Sequence, residues 1–223
     1  WRMEWHLGLG LAKDRLKYYD QQKEELAHYA RAATDIHFDF GGSLGFAEIE
    51  GVHNRGDFDL TQHQNTSGKR LEYVDQANNK RYIPYIVETA CGPNRTLLAL
   101  LVNGYVEEKV EGEDEGRTVL RVQPALAPIK AGIFPLVKKD GMPEFATRLA
   151  SEMRRHLPVF YDESGAIGRR YRRQDEVGTP FCVTVDGQTT QDSTVTVRDR
   201  DTLQQDRVAA DRVTDWITQR LVV

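Results

Sequence analysis

One run limits what this chain can become: Glu107-Glu108-Lys109-Val110-Glu111-Gly112-Glu113-Asp114-Glu115-Gly116-Arg117. It holds six acids and two bases, two glycines interrupt it, and no apolar residue recurs at a helical or strand period. Such a stretch has nothing to bury, so it belongs between cores rather than in one. It separates two parts with different periodicities. We therefore expect one unit over residues 1–110, an acidic linker over 111–118 and a second unit over 119–223. At 39% hydrophobic and 29% charged residues, 223 residues suffice for one or two cores.

The composition also excludes several classes. No apolar run approaches the roughly 18 residues of a membrane helix, so no membrane partner is expected. Cys91 and Cys182 are the two cysteines, no CxxC occurs, and the six histidines show no metal-ligand spacing. No metal site or disulfide framework is expected, and a reducing cytoplasm fits. The net charge of −4 is unevenly spread. Residues 119–223 carry 16 Lys+Arg and 14 Asp+Glu, a balance of +2; the rest therefore carries 14 against 20, or −6. The C-terminal part is the better partner for a polyanion.

In the N-terminal part, residues 11–31 are rich in Lys, Glu, Gln, Leu and Ala, and helix propensity predicts a helix. His28 and Tyr29 within it are expected to serve packing and surface polarity. Residues 34–40 alternate at period two, with Ile36, Phe38 and Phe40 on one face and Asp35, His37 and Asp39 on the other, which predicts a half-buried antiparallel strand. A short strand then carries Glu48 and Glu50 at i and i+2, which predicts that both point to one face. Such a pair is either solvated or gathered around a cation, for which an ammonium group serves. Residues 71–75 and 82–88 are expected to pair as antiparallel strands. The second of these ends in Glu88, turns at Gly92-Pro93, and leads into an apolar helix bearing Arg95 in its first turn. The helix dipole disfavours arginine there. A salt bridge to Glu88 is one reason for it, and a bound anion such as phosphate is another.

After the charged run, strand and helix patterns alternate, which predicts an α/β unit. Strands are expected at 131–137, 157–161, 179–185 and 194–197, and helices at 143–156, 166–174 and 203–221. Arg169, Arg170, Arg172 and Arg173 surround Tyr171 near the start of one helix, with Asp175 and Glu176 at its end, against both the dipole and the better ion-pair orientation. Either these arginines bridge to acidic residues of the neighbouring unit, or they contact RNA.

The stretch Pro84-Tyr85-Ile86-Val87-Glu88, then six residues and Arg95, resembles motif 3 of class II aminoacyl-tRNA synthetases, in the form found in glycyl-tRNA synthetases. Glu48-x-Glu50-Gly51-x3-Arg55-x-Asp57-x-Asp59-Leu60 is similar to a second segment of that family. The runs 127–136 and 165–180 look like its anticodon-binding domain, and the resemblance extends from about Glu24 to Val208. It implies an α+β/α/β fold: part of a class II antiparallel sheet with helices, then an α/β domain with a mixed sheet. It implies a glycine–tRNA ligase that uses ATP and Mg²⁺. The glycine carboxylate would attack the ATP α-phosphorus, pyrophosphate would leave, and glycyl-adenylate would esterify the 3′ end of tRNA(Gly). Arg95 would hold the γ-phosphate as the catalytic arginine, with Glu88 in the same ATP site. Glu88 and Glu48 would face the glycine ammonium. Arg55, Asp57 and Asp59 would shape the pocket, and the four arginines would meet tRNA. The family often has Ser and Asp where this chain has Ala90 and Asn94. Motifs 1 and 2 do not occur and the chain starts at Trp1, so we expect the family's N-terminal portion, with its homodimer interface, to lie outside it. The alternative is a non-catalytic, synthetase-like nucleic-acid-binding accessory subunit. That protein would have no use for Glu48, Glu88 and Arg95 together.

Overall fold

The computed structural model describes residues 1–109 and 116–221. It resolves into two compact units, Trp1–Leu7 with Leu11–Ala99, and Gly8–Gly10 with Leu100–Val223.

The first unit is built on an antiparallel sheet. Helix α1 (Arg2–Gly8) precedes strands β1 (Leu16–Asp20), β2 (Ala32–Asp39) and β3 (Phe46–Gly56). Helix α2 (Phe58–Ser67), the small hairpin β4 (Tyr73–Asp75) and β5 (Lys80–Tyr82), strand β6 (Ile86–Cys91) and helix α3 (Pro93–Gly104) follow. The sheet order is β1-β2-β3-β6, every pair antiparallel. Ile36, Phe38 and Ile49 are buried in its core.

Three expectations are corrected here. Residues 11–31 do not form a helix: a short 3-10 turn at Lys13–Arg15 leads into β1, which pairs with β2 from Leu16↔Phe38 to Asp20↔Thr34. Tyr18 and Tyr19 suit a strand, and tertiary pairing overrides the propensity of the surrounding Lys, Glu and Gln. Residues 82–88 do not continue as one strand, because Pro84 cannot donate to a ladder. The chain breaks there, and β6 pairs with β3 rather than with β4. The third concerns register. Ile36 faces Glu50 and His37 faces Glu48, so Ile49 is an extra residue on β3. This bulge reverses the alternation, and Glu48 and Glu50 end on opposite faces.

The second unit contains the hairpin β7 (Tyr105–Glu108) and β8 (Arg117–Leu120), then β9 (Ala131–Pro135), α4 (Met142–Met153), β10 (Val159–Tyr161) and α5 (Ile167–Val177). It closes with β11 (Phe181–Val185), α6 (Thr189–Asp192), β12 (Thr194–Asp199), β13 (Gln205–Ala209) and α7 (Val213–Thr218). The sheet order is β10-β9-β11-β12-β13; β9 runs parallel to β10 and β11, and the last two strands are antiparallel. This is a mixed sheet, so both halves of the expected fold class are present. Ile133, Val183, Val185, Val195 and Val197 meet Ala146, Leu149, Met153, Val213 and Ile217 in one core.

The boundary lies earlier than expected. It falls inside α3, and the residues flanking the acidic run belong to the second unit. Residues 111–115 of the expected linker lie outside the described residues; on either side, Glu108 pairs with Arg117 across the hairpin. Arg117 is buried and ion-pairs with Glu108 and, at 3.1 Å, with Asp175. The expected helix over 203–221 is also corrected. Asp199 accepts from the backbone N–H groups of Asp201 and Thr202 at the β12–β13 turn, and Arg207 on β13 binds Asp186 at 2.6 Å. Cross-strand pairing outweighs the helical propensity of this segment.

Candidate functional site

The faces of the first sheet follow from its register. Asp35, Gly51 and Ala90 lie side by side across β2, β3 and β6, and Ala33, His53 and Glu88 lie two residues further along on the same face. The bulge puts Glu48, opposite His37, on this face as well. Glu48 and Glu88, the two residues assigned to an ammonium, therefore share one face of one sheet.

Glu48 is half-exposed. Arg95, from the first turn of α3, reaches it: Nη1 donates to the Glu48 carbonyl at 2.8 Å and stands 3.6 Å from its Oε2. The guanidinium remains well exposed at the strand-to-helix turn. Arg95 does not pair with Glu88, so the salt bridge considered from sequence is not formed. Arg55 takes that place. Its Nη1 donates to Glu88 Oε2, its Nε and Nη2 bind Asp59 at 2.6 and 2.9 Å, and its guanidinium lies 3.9 Å from the Tyr29 ring centroid. Asp59 and then Glu88 raise the Arg55 pKa above its ordinary value, and the Arg55 hydrogen bonds hold the Asp59 carboxyl below the usual range. Tyr29 rests edge-on against His28, and His28 against Phe58, which matches the packing role expected for this pair.

Glu50 lies on the other face and is fully buried. Arg2 donates to both of its oxygens, the Nη2–Oε2 distance being 2.9 Å, and His6 Nε2 lies 2.8 Å from Oε2. Burial alone would raise the Glu50 pKa, but the Arg2 and His6 hydrogen bonds hold it below the usual carboxylate range. Burial lowers the His6 pKa despite its bond to Glu50. His6, Glu50 and Cys91 bring potential ligand atoms within 4.8 Å of one another. Both oxygens of that carboxylate are already taken by Arg2 and His6.

Sequence reasoning missed Asp35 and Gln21. Asp35 is buried and accepts a hydrogen bond from Gln21 Nε2 at 2.8 Å. Alternation puts Asp35 with His37 and Asp39 on one face of a half-buried strand. The neighbouring strands cover it, and strand alternation alone carries no signal of that.

The α5 arginines do not behave as one cluster. Arg170 is 3% exposed, and its guanidinium donates to the carbonyls of Pro135 at 2.6 Å and Leu136 at 3.3 Å. Arg173 pairs with Asp162 and donates to the Ser164 carbonyl at 2.8 Å. Arg172 stands 3.7 Å from Asp175, a buried carboxylate that Arg198 grips with two bonds of 2.9 Å. These partners lie within the arginines' own unit, and not in the neighbouring one as the tertiary reading had it. Arg169 is exposed. With Tyr171, Arg172, Arg198, Leu203 and Gln205 it lines a groove of about 550 Å³ beside the β12–β13 hairpin.

Among the described residues no helix is long and apolar enough to cross a membrane. Residues 130–220 match the family described as an anticodon binding domain. Over 99% of its length the chain is 48% identical to a glycine–tRNA ligase of Chlorobaculum tepidum and 44% identical to one of Cutibacterium acnes. Over 89% of its length it is 50% identical to a glycine–tRNA ligase of Treponema denticola. These alignments cover 46%, 48% and 45% of the respective relatives, so the chain spans about half the length of the curated relatives it matches. With an antiparallel sheet carrying Glu48 and Glu88, Arg95 on the helix that follows it, and then an anticodon-binding unit, the chain belongs to the class II glycyl-tRNA synthetase family and corresponds to its C-terminal part.

Proposed function

We propose that this chain supplies one wall of the glycine-activating site of a glycine–tRNA ligase, together with the domain that holds the anticodon end of tRNA(Gly). The observation that carries the reading is the shared sheet face of Glu48 and Glu88, with the Arg95 guanidinium exposed at its edge. Two carboxylates suit an ammonium, and an exposed guanidinium suits a phosphate oxygen. Glycine would lie with its amino group toward Glu48 and Glu88. ATP would reach Arg95 through its γ-phosphate. Arg55, locked by Asp59 and Tyr29, would hold the Glu88 carboxylate in place, so little reorganisation is needed when the ligand arrives.

Mg²⁺ would enter with the ATP phosphates. The His6–Glu50–Cys91 group does not suit it, since Mg²⁺ seeks oxygen ligands and this carboxylate is occupied. The steps assigned here to Glu48, Glu88 and Arg95 do not involve the ion. For RNA, the supporting observations are the anticodon-domain match and the Arg169-lined groove. The homodimer of the complete enzyme is part of the same proposal.

Calorimetry on the complete synthetase carrying this chain tests the charge assignment. Glu88→Gln and Glu48→Gln should weaken glycine binding about tenfold or more, the worth of a charge-assisted hydrogen bond, with ATP affinity little changed. Arg95→Ala should do the reverse. An unchanged glycine affinity in Glu88→Gln would reject the assignment.

A further inference from the structure

Gly51 lies mid-strand in β3, between Asp35 on β2 and Ala90 on β6. It is not among the glycines with positive φ, so its backbone does not call for glycine. A strand interior ordinarily disfavours glycine and uses it where something must come close. What a side chain would meet is specific. A Cβ at Gly51 would stand 3.1 Å from His53 Nε2, 3.3 Å from Asp35 Oδ1 and 3.5 Å from Glu48 Oε1. Three polar atoms from three positions converge on the place a Cβ would take, so a side chain here would be crowded.

One of them lacks a partner. Asp35 is 5% exposed; its Oδ2 accepts from Gln21, but its buried Oδ1 has no hydrogen bond. His53 Nε2 is 3.9 Å away, beyond hydrogen-bond reach, and His53 Nδ1 is also buried without a partner. Buried acceptors are nearly always satisfied, so an orphan oxygen beside Gly51 marks where a donor belongs.

We propose that Asp35 is a further specificity-determining residue, whose Oδ1 accepts a hydrogen bond from a primary ammonium held over Gly51 beside Glu48 and Glu88. The inference rests on the glycine reading of this face and extends it. A primary ammonium has three N–H donors, and the three carboxylates supply three acceptors. Gly51 omits the Cβ that would press on Asp35 Oδ1. A secondary amine lacks one donor and adds a methyl group where the acceptors converge, so the site should reject N-methylglycine.

The test is a calorimetric titration of the complete synthetase carrying this chain with glycine, N-methylglycine and methylammonium. Glycine should bind saturably, and N-methylglycine about tenfold more weakly. Asp35→Asn should weaken glycine about tenfold and narrow that discrimination. Gly51→Ala should weaken it too, which keeps the test decisive if Asp35→Asn does not fold. If Glu88→Gln loses glycine while Asp35→Asn and Gly51→Ala bind it normally, the Asp35 assignment fails and the glycine reading stands; water then satisfies Oδ1. If methylammonium binds through Asp35 but glycine does not bind, the ammonium site stands and the glycine reading fails. No saturable response to any of the three ligands overturns both.

Discussion

Arg170 and Arg169 are adjacent in sequence but have opposite fates. Arg170 holds the carbonyls at the end of β9 from a buried position, and Arg169 faces solvent at the groove. Arg170→Ala would leave the Pro135 carbonyl without this donor, costing about 2 kcal/mol. In a chain of this size that lowers Tm by roughly 4–8 °C. Arg169→Ala should leave Tm unchanged. If the groove binds RNA, Arg169→Ala should also lower the salt slope of tRNA binding by about 0.7, the share of one phosphate contact on a single strand. Thermal melts and salt-dependent binding of both variants check this, and an unchanged Tm in Arg170→Ala would contradict the structural role. The run of four arginines could be read from sequence as a basic feature; its internal division could not. Arg170 and Gln174 are both buried and stand at i and i+4, so helical periodicity hints at one inward face, but the carbonyls that receive Arg170 come from distant β9. Glu48, Glu88 and Arg95 were singled out by motif spacing, and the sheet register sets the two glutamates on one face. Asp35 was not, since its burial depends on strands paired from elsewhere.

Helix α1 is tied to the sheet through one buried carboxylate, and this tie should respond to pH. Burial lowers the His6 pKa from 6.5, so the fold prefers the neutral ring. The stabilisation is therefore complete above pH 6.5 and is lost as pH falls below it toward the folded value. Glu50, held below 4.5, adds its loss only at lower pH. Urea midpoints should fall between pH 7.5 and 5.5, and His6→Gln, which can still donate to Glu50 but does not titrate, should flatten that fall. An identical pH dependence in wild type and His6→Gln would remove His6 from the account. The elements themselves were unevenly legible. Strands β2, β9 and β11 followed from their patterns, and α4 and α5 from theirs. Residues 11–31 and 203–221 misled because helix propensity is local and weak. Pairing of β1 with β2 and of β12 with β13 decided both segments. The β3 bulge had no sequence signal, yet it is what separates Glu48 from Glu50.

At the scale of the whole chain, the two-part organisation was legible and its boundary was not. The acidic run suggested a free linker, but Glu108 and Arg117 on either side of it pair, and Arg117 reaches the buried Asp175. Charge composition gave no hint that the flanks of such a run would be structured. The proposed function gives this chain the anticodon-reading and glycine-facing parts of a glycine–tRNA ligase. The most direct measurement is equilibrium binding of the purified 223-residue chain to a tRNA(Gly) transcript and to the same transcript with its anticodon loop replaced. If that function holds, the replaced loop should bind about tenfold or more weakly, since one lost base stack is worth roughly 1–3 kcal/mol. Equal affinity for the two transcripts would contradict it.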